Sequence, residues 1–288
     1  MARGVVAAGL FLALVLALAG SLLVGASSVK PSEIFQALSQ SDWHGNAMNT
    51  VLYIRMPRGV LAALIGASLA VAGAVMQLVT RNPLASPQTL GVNATASLAM
   101  VFTIVFGMNL GIGGPIPAFI GAFIGGISVT IFSITTRRGP VVLALAGMAI
   151  HLLCTALIQA MAVLNQRAVD VVFWMNGSVA GAQWKNVTQA APLLLLFARP
   201  IQALGLGREV AAGLGQNYIR TMVASTLLVT VLAGASVAVA GPIGFVGLII
   251  PHVIRNLVGR APLWEFPLCA LGGALLLVTA DVGARVVM

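Results

Sequence analysis

The sequence contains long stretches without a single ionisable side chain. Residues 82–136 include no Asp, Glu, Lys, Arg or His, and similar stretches recur along most of the chain. About 20 apolar residues suffice for a helix to cross a hydrocarbon core about 30 Å thick. Backbone groups in lipid must be hydrogen-bonded internally, and the period-two alternation of a barrel does not occur here. The sequence therefore predicts an all-α, polytopic transmembrane helical bundle that forms a single domain over residues 1–288.

Composition supports this class and disfavours others. The mean hydropathy is +1.04, and charged residues are 7% of the chain. The net charge of +9 comes from basic residues placed between apolar stretches, as expected at membrane surfaces rather than in a nucleic-acid-binding protein. Cys154 and Cys269 lie inside apolar stretches and belong to no metal-ligating cluster. We therefore expect a lipid bilayer around the chain, no nucleic acid, no metal and no cofactor.

Nine apolar stretches are candidate spans. They are residues 5–24, 59–80, 90–106, 115–135, 140–163, 186–198, 221–240, 243–254 and 266–286. The first resembles a signal peptide, but its length and the spans that follow favour a retained helix. Alternate loops place nine basic residues inside and six outside if the N-terminus is cytoplasmic, which supports this orientation weakly. Nine crossings would leave Met288 on the external side.

Two of these candidate spans are too short for a regular crossing. The stretch after Lys185 is interrupted by Pro192, and its helix either starts earlier, near Asn176, or is incomplete. Residues 241–252 are rich in glycine and proline. Irregular backbone at membrane depth is tolerated only where protein covers it or where it lines a water-filled cavity. Residues 241–252 are therefore predicted to form a re-entrant turn or part of a pathway.

Few residues inside the spans could drive transport. His151 is interpreted as a polar contact between helices, or else as a relay or a ligand. Asp281 and Arg285 are four residues apart, share a helix face and are expected to pair. A phosphate-binding P-loop needs Gly-Lys-Ser/Thr, whereas Lys30 follows valine and Lys185 follows tryptophan. The energy for any transport would therefore come from a partner.

The connection 199–220 is the most substantial loop on the predicted cytoplasmic side. Within it, the glycine-bracketed residues 205–215 predict a short helix between two membrane segments. On its own such a helix is either a surface link or a docking site for a partner.

Five segments resemble the FecCD/BtuC-like permease family, the transmembrane subunits of ABC importers for iron chelates, haem and cobalamin. They are Arg55-Met-Pro-Arg58 with Gly66-Ala-Ser-Leu-Ala-Val-Ala-Gly-Ala-Val-Met-Gln77, Arg81-Asn-Pro-Leu-Ala-Ser-Pro-Gln-Thr-Leu-Gly-Val-Asn93, Gly241-Pro-Ile-Gly-Phe-Val-Gly-Leu-Ile-Ile-Pro-His-Val-Ile-Arg255, and Ala280-Asp-Val-Gly-Ala-Arg285. These segments follow one another in the order of the family, and the resemblance extends over essentially the whole chain.

The resemblance implies an assembly and a cargo. Family members have ten transmembrane helices; about nine are recognisable here, and the tenth is expected to be missing after Met288. Two permease subunits would surround a central pathway in the cytoplasmic membrane of a bacterium. Cytoplasmic ABC ATPase subunits would drive transport, and a periplasmic or lipid-anchored substrate-binding protein would deliver an iron chelate. An iron-siderophore is favoured as cargo over haem or cobalamin, and the chain itself would not be an enzyme.

The resemblance also assigns roles to residues. Within the cytoplasmic coupling loop 199–220, the residues expected to contact the ATPase are Gly207, Arg208, Glu209, Ala211, Leu214 and Gly215. Arg208 occupies a position where the family commonly has glutamate. Asn82 and Pro83 are expected in the cytoplasmic gate region. Arg55, Arg58 and Arg285 are expected to present positive charge to acidic residues of the binding protein.

Two of those arginines are also predictable from helix geometry. Arg55 and Arg58 flank Pro57, a residue suited to the first turn of a helix, so both are expected at the start of the second span.

An ion-coupled secondary transporter and a non-transporting membrane subunit remain alternatives. Co-purification of an ATPase separates the first alternative from an ABC permease, and substrate-stimulated ATP hydrolysis separates the second.

Overall fold

The computed structural model describes residues 2–25, 29–40, 42–108, 116–135, 140–164, 174–196, 218–259 and 261–287. Every regular element within these ranges is a helix. The predicted all-α bundle is therefore confirmed. The residues expected to contact the ATPase, between Gly207 and Gly215, lie outside the described residues.

The helices follow the predicted spans closely. They are α1 (Ala2–Leu23), α2 (Pro31–Ser39), α3 (Asn46–Thr50), a π-helical turn (Val51–Arg55), α4 (Met56–Thr80), a 3-10 turn (Pro87–Leu90), α5 (Val92–Val105), α6 (Ile116–Thr135), α7 (Pro140–Leu164), α8 (Trp184–Leu196), α9 (Tyr218–Ala240), α10 (Val246–Val258) and α11 (Pro262–Val287). Each of the nine candidate spans overlaps one of these helices.

Five of the described helices are long and apolar enough to cross a bilayer. They are α1, the continuous helix Asn46–Thr80, α7, α9 and α11, while α5, α6 and α10 are shorter apolar helices. The second span is longer than predicted, because helical backbone begins at Asn46 and continues through the π-helical turn into α4. The helix after Lys185 does not start early: α8 begins at Trp184 and contains Pro192.

Helix α4 is the centre of the bundle. It packs most extensively against α11, and it also contacts α9 and α10. Gly66 lies against the backbone of Gly273, and Gly73 lies against the backbone of Gly247, so a Cβ at either α4 position would overlap the neighbouring chain. Small residues allow helix backbones to approach closely in membranes, where dispersion and interhelical hydrogen bonds drive association. The run of small residues in α4 therefore determines which helices surround it.

The order of contacts determines how these helices run. Along α4, Arg58 meets Asp281 and Gly66 meets Gly273, so α4 and α11 are antiparallel. Gly73 meets Gly247 and the later Gln77 meets Arg255, so α10 runs parallel to α4. Helix α1 lies along α11 at the outside of the bundle. Its exposed apolar side chains, Val5, Phe11, Leu12 and Leu16 among them, form a surface suited to lipid.

Three connections are irregular rather than helical. Residues 81–86 form turns that lead into the 3-10 turn Pro87–Leu90, residues 176–183 form turns and bends, and residues 241–244 have no regular structure before a bend at Phe245. The last of these is the first part of residues 241–252, which were predicted to form a re-entrant turn or part of a pathway. Residues 241–245 are irregular, as predicted, but residues 246–252 belong to helix α10.

Candidate functional site

Two arginines converge on a single carboxylate at one end of the bundle. Arg58 donates to Asp281 through Nε at 2.9 Å and through Nη2 at 2.6 Å. Arg285 Nη2 also donates to Asp281, as expected for two residues one helical turn apart. Asp281 therefore joins α4 to α11 and accepts from both guanidinium groups. The predicted pairing of Asp281 with Arg285 is confirmed, and Arg58 is a partner that the pairing did not anticipate.

A third arginine completes this group, which we call the arginine cluster: Arg55, Arg58, Asp281 and Arg285. Arg55 Nη1 donates to the carbonyl oxygens of Leu22 at 2.8 Å and Leu23 at 3.0 Å, and Arg55 Nη2 donates to Val29 O at 3.1 Å. These carbonyls belong to the last turn of α1 and the connection after it. The final carbonyls of a helix have no partner within the helix and carry partial negative charge.

Arg285 reinforces the same cap. Its Nη1 donates to Ser21 O at 3.0 Å and to Val24 O at 3.2 Å. Two guanidinium groups thus donate hydrogen bonds to the C-terminal carbonyls of α1. Their positive charge also interacts favourably with the negative end of the helix macrodipole. The arginine cluster therefore fixes the end of α1 against α4 and α11.

This geometry corrects the expected position of the docking arginines. Arg55 is 2% exposed and Arg285 is 7% exposed, so neither presents its charge at the surface. The side chain of Arg58 is 20% exposed and remains partly accessible. Arg55 and Arg58 lie at the start of α4, as predicted, with Pro57 in its first turn, but helical backbone does not begin there. Continuous helix from Asn46 precedes them, because Met48 and Val51 are buried with Ile34 of α2 and extend the helix beyond the lipid-spanning part.

The π-helical turn beside Arg55 explains the role of a tryptophan that the sequence did not single out. Met56 N donates to Val51 O, five residues earlier. The next bond in this register would run from residue 57 to Leu52 O, but Pro57 has no N–H. Trp184 Nε1 donates to Leu52 O instead, at 2.8 Å. The first residue of α8, the helix that leads into the predicted coupling loop, is therefore hydrogen-bonded next to the arginine cluster.

A second polar group, the Gln77 network, lies at the opposite end of α4. Arg255 Nη1 donates to Gln77 Oε1 at 2.6 Å, and Arg255 Nε donates to Glu265 Oε1 at 2.7 Å. Gln77 Nε2 donates to Gly247 O at 3.3 Å. Pro251 lacks the N–H that would normally bond this carbonyl four residues earlier, so Gln77 satisfies a group that the proline leaves unpaired.

The two polar groups are separated by the thickness of a membrane core. Arg58 and Gln77 are 19 residues apart on one helix, a distance of about 28 Å at 1.5 Å per residue. A hydrocarbon core is about 30 Å thick. The positions of the two groups therefore agree with α4 crossing the bilayer, with the arginine cluster on one surface and the Gln77 network on the other.

The two residues assigned to the gate follow the Gln77 end of α4. Arg81 closes the helix in the left-handed conformation, with φ 52°. Asn82 and Pro83 are exposed, and Asn82 Oδ1 accepts a hydrogen bond from Leu84 N at 2.9 Å. This turn places both residues on the surface that the predicted orientation makes cytoplasmic, on the side opposite the arginine cluster.

Other candidate residues have simpler positions. His151 is exposed on α7, so it makes no buried contact with the helices that the structure describes. Cys154 and Cys269 are buried, as expected for core side chains. Within the described ranges, no three His, Cys, Asp or Glu side chains are grouped so as to hold a metal ion. The functional candidates in the described chain are therefore the two polar groups and the irregular segments between them.

Four residues at these sites were not identified from the sequence: Gln77, Trp184, Arg255 and Glu265. A signal existed in the sequence for Trp184 and Gln77. Pro57 and Pro251 each interrupt an apolar helix and leave a carbonyl unpaired, which must find a donor from another part of the chain in lipid. The sequence shows that such a donor is needed but not which side chain provides it.

Comparison with known proteins places this architecture among transport permeases. Residues 12–288 match the FecCD transport family. The Fe(3+)-citrate import system permease protein YfmD of Bacillus subtilis is 44% identical over 92% of this chain and 81% of its own length. The ferric enterobactin transport system permease protein FepD of Escherichia coli is 37% identical over 99% of this chain and 89% of its own length. A solved metal-chelate type ABC transporter in an inward-facing conformation superposes with a TM-score of 0.81 at 27% identity, covering 99% of this chain and 91% of that one.

Proposed function

Because the chain belongs to the FecCD transport family, we propose that it forms the translocation pathway of an importer for a ferric chelate in the cytoplasmic membrane of a bacterium. It is a multi-pass permease subunit of an ABC importer, a transport component rather than an enzyme, and works with an ATPase and a second permease subunit. The family match over residues 12–288 carries this conclusion. An iron-citrate or iron-siderophore complex is the favoured cargo, since the similar permeases named above belong to such systems.

The described polar groups fit a passive conduit better than an ion-coupled carrier. A proton- or ion-coupled carrier uses intramembrane charges that bind and release its ion. Here Asp281 and Glu265 are each paired with arginine. Both pairs lie near the ends of α11 rather than at its centre. The energy for transport is therefore assigned to separate ATPase subunits, which dock on the coupling loop 199–220, while a binding protein delivers the chelate on the side of the arginine cluster.

The coupling loop provides the direct test of this function. Replacing Arg208-Glu-Val-Ala211 with a Gly/Ser linker should reduce ATP hydrolysis to its unstimulated level, because motion of the ATPase would no longer reach the bundle. The measurement is hydrolysis by the reconstituted complex with and without the loaded binding protein. A Gly/Ser replacement of Gln40-Ser-Asp-Trp43, between α2 and α3, is the matched control. Full stimulation in the 208–211 variant would rule out the coupling role.

Arg58 is the proposed contact for the binding protein. Its side chain is the most accessible in the arginine cluster, and Arg285 would still pair with Asp281 in its absence. Rim charges mainly alter association rate and its salt dependence. Arg58→Gln should therefore slow association of the binding protein several-fold at low salt and flatten the salt dependence. The control is Arg3→Gln, an exposed cation at the other end of α1. An association rate equal to that of the wild type at every salt concentration would show that docking takes place elsewhere.

A further inference from the structure

Phe245 has an unusual backbone and an exposed ring. Its φ is 66° and its ψ is −32°, and it immediately precedes α10. Among the described residues, Arg81 is the other non-glycine residue with positive φ, and it closes α4. A bulky residue rarely adopts this region, and such strain persists only where surrounding structure imposes it. Nevertheless Phe245 is 73% exposed, so its ring is not held in place by burial in the bundle.

The position of Phe245 along the membrane follows from its neighbour Gly247. Gly247 packs on Gly73 of α4 so closely that a Cβ on Gly73 would overlap it. Gly73 lies 15 residues after Arg58 and four before Gln77, or about 22 Å and about 6 Å along the helix. Phe245 therefore lies between the two polar groups, within the hydrocarbon core and nearer the Gln77 end.

Other irregular segments surround Phe245 at this depth. The amide nitrogen of Gln88, in the 3-10 turn after α4, lies 2.9 Å from where a Cβ on Gly244 would be, and Gln88 is exposed. Ser178 N donates to Ala240 O at 2.6 Å, which joins the segment 176–183 to the same place. The segment before α10 thus meets the 3-10 turn Pro87–Leu90 and the segment 176–183.

This meeting point cannot face lipid. Unpaired backbone groups are too costly in hydrocarbon, so irregular backbone occurs at this depth only where protein covers it or where it lines a water-filled cavity. Phe245 and Gln88 are both exposed on the surface of this chain, so the chain itself does not cover them. What remains is cover by the second permease subunit or an aqueous cavity, and the exposed polar amide of Gln88 favours the cavity, because a polar group without hydrogen-bond partners is costly to bury.

We propose that Phe245 and Gln88 line the translocation pathway, with the Phe245 ring as the apolar constriction that closes it between transport cycles. The inference rests on the proposed function. Neither side chain carries a charge, so the constriction provides no ligand for a bare ferric ion. It suits a metal ion that is already coordinated by an organic ligand. The side-chain amide of Gln88 can donate hydrogen bonds to the oxygen atoms of that ligand.

The strained backbone has a function in this arrangement. A left-handed residue before α10 directs the ring away from the bundle and towards the pathway. Glycine at this position would relieve the strain, since it adopts positive φ without cost. Phe245→Gly should therefore leave the free energy of unfolding unchanged or raise it. Because the constriction would be lost, the same variant should leak.

Thiol accessibility tests the location of the pathway. In the assembled complex in proteoliposomes, Phe245→Cys and Gln88→Cys should react with a water-soluble maleimide. Phe11→Cys, at an exposed position on the lipid-facing side of α1, should react far more slowly. The native Cys154 and Cys269 are buried and provide a low background. If the Phe245→Cys variant reacted no faster than the Phe11→Cys variant, the inference would be overturned, because lipid or the second subunit would then cover this position.

Leakage tests the role of the ring. Efflux of a trapped ferric citrate complex without ATP should rise several-fold in Phe245→Gly and stay at the wild-type level in Phe245→Trp and Phe11→Ala. Unchanged efflux in Phe245→Gly, with the variant stably folded, would refute the constriction. A different result, no import of ferric chelate by the wild-type complex, would contradict the proposed function. Thiol accessibility would still test the position of Phe245 in that case, because it requires no cargo.

Discussion

Asp281→Asn is expected to destabilise the bundle by about 3–5 kcal/mol, the usual cost of removing one partner from a buried ion pair. Asp281 is the carboxylate that accepts from both Arg58 and Arg285. The neutral amide would leave two guanidinium groups without their counter-charge, and Arg55 adds a third cation nearby. The measurement is the fraction of protein that stays monodisperse in detergent after heating. The temperature at which half of it is lost, the thermal midpoint, should be clearly lower than in the wild type.

The control and the rescue separate this charge effect from a general loss of packing. Asp42→Asn changes the same functional group at an exposed position between α2 and α3 and should leave the midpoint unchanged. The double variant Asp281→Asn with Arg285→Gln should recover part of the loss, because contacting residues are coupled and one uncompensated charge is removed. A midpoint equal to that of the wild type in Asp281→Asn alone would mean that carbonyl groups already balance the arginines.

Gly73→Ala is expected to destabilise the bundle by about 1–3 kcal/mol, the usual cost of overpacking a tight core. The added methyl group would overlap the backbone of Gly247, and a backbone cannot move aside as a flexible side chain can. The displacement would also disturb the bond from Gln77 to the carbonyl of Gly247, which Pro251 leaves without an amide partner. Both the thermal midpoint and the yield of folded protein should fall.

Gly20→Ala is the matched control for this substitution. Gly20 lies near the C-terminal end of α1, and a Cβ there would contact nothing within 4 Å. Alanine is roughly 1 kcal/mol more favourable than glycine inside a helix, so this variant should be equal to or more stable than the wild type. The same chemical change is thus expected to have opposite effects at the two sites. If Gly73→Ala and Gly20→Ala had equal thermal midpoints, α4 and α10 would be able to move apart around the new methyl group at no cost in the free energy of unfolding.

The spans were predictable because lipid imposes a simple requirement on sequence. Helices such as α6 and α9 lie within a few residues of the predicted spans 115–135 and 221–240, since a long apolar run in lipid can satisfy its backbone only as a helix. The elements that were not predicted are α2 and the extension Asn46–Arg55, where polar residues interrupt the apolar ones and no long apolar stretch occurs. Their helical structure depends on a small cluster of Ile34, Met48 and Val51, which no local pattern specifies.

The candidate sites divide in the same way. The pairing of Asp281 with Arg285 followed from their spacing on one helix, and the irregular backbone of residues 241–245 followed from their glycine and proline. The exposure of the arginines did not follow from the sequence, which indicates a positive charge near a membrane surface but not what surrounds it.

The sequence by itself determined the class of molecule, the approximate limits of its helices and the family resemblance, because hydrophobic length and local residue order carry that information. Only the tertiary structure decided that Arg55 caps α1, that Arg58 meets Asp281 and that Trp184 replaces the amide missing at Pro57. These partners are separated by up to 223 residues. Their contacts depend on how helices pack against the small residues of α4, a property of the whole bundle rather than of any segment.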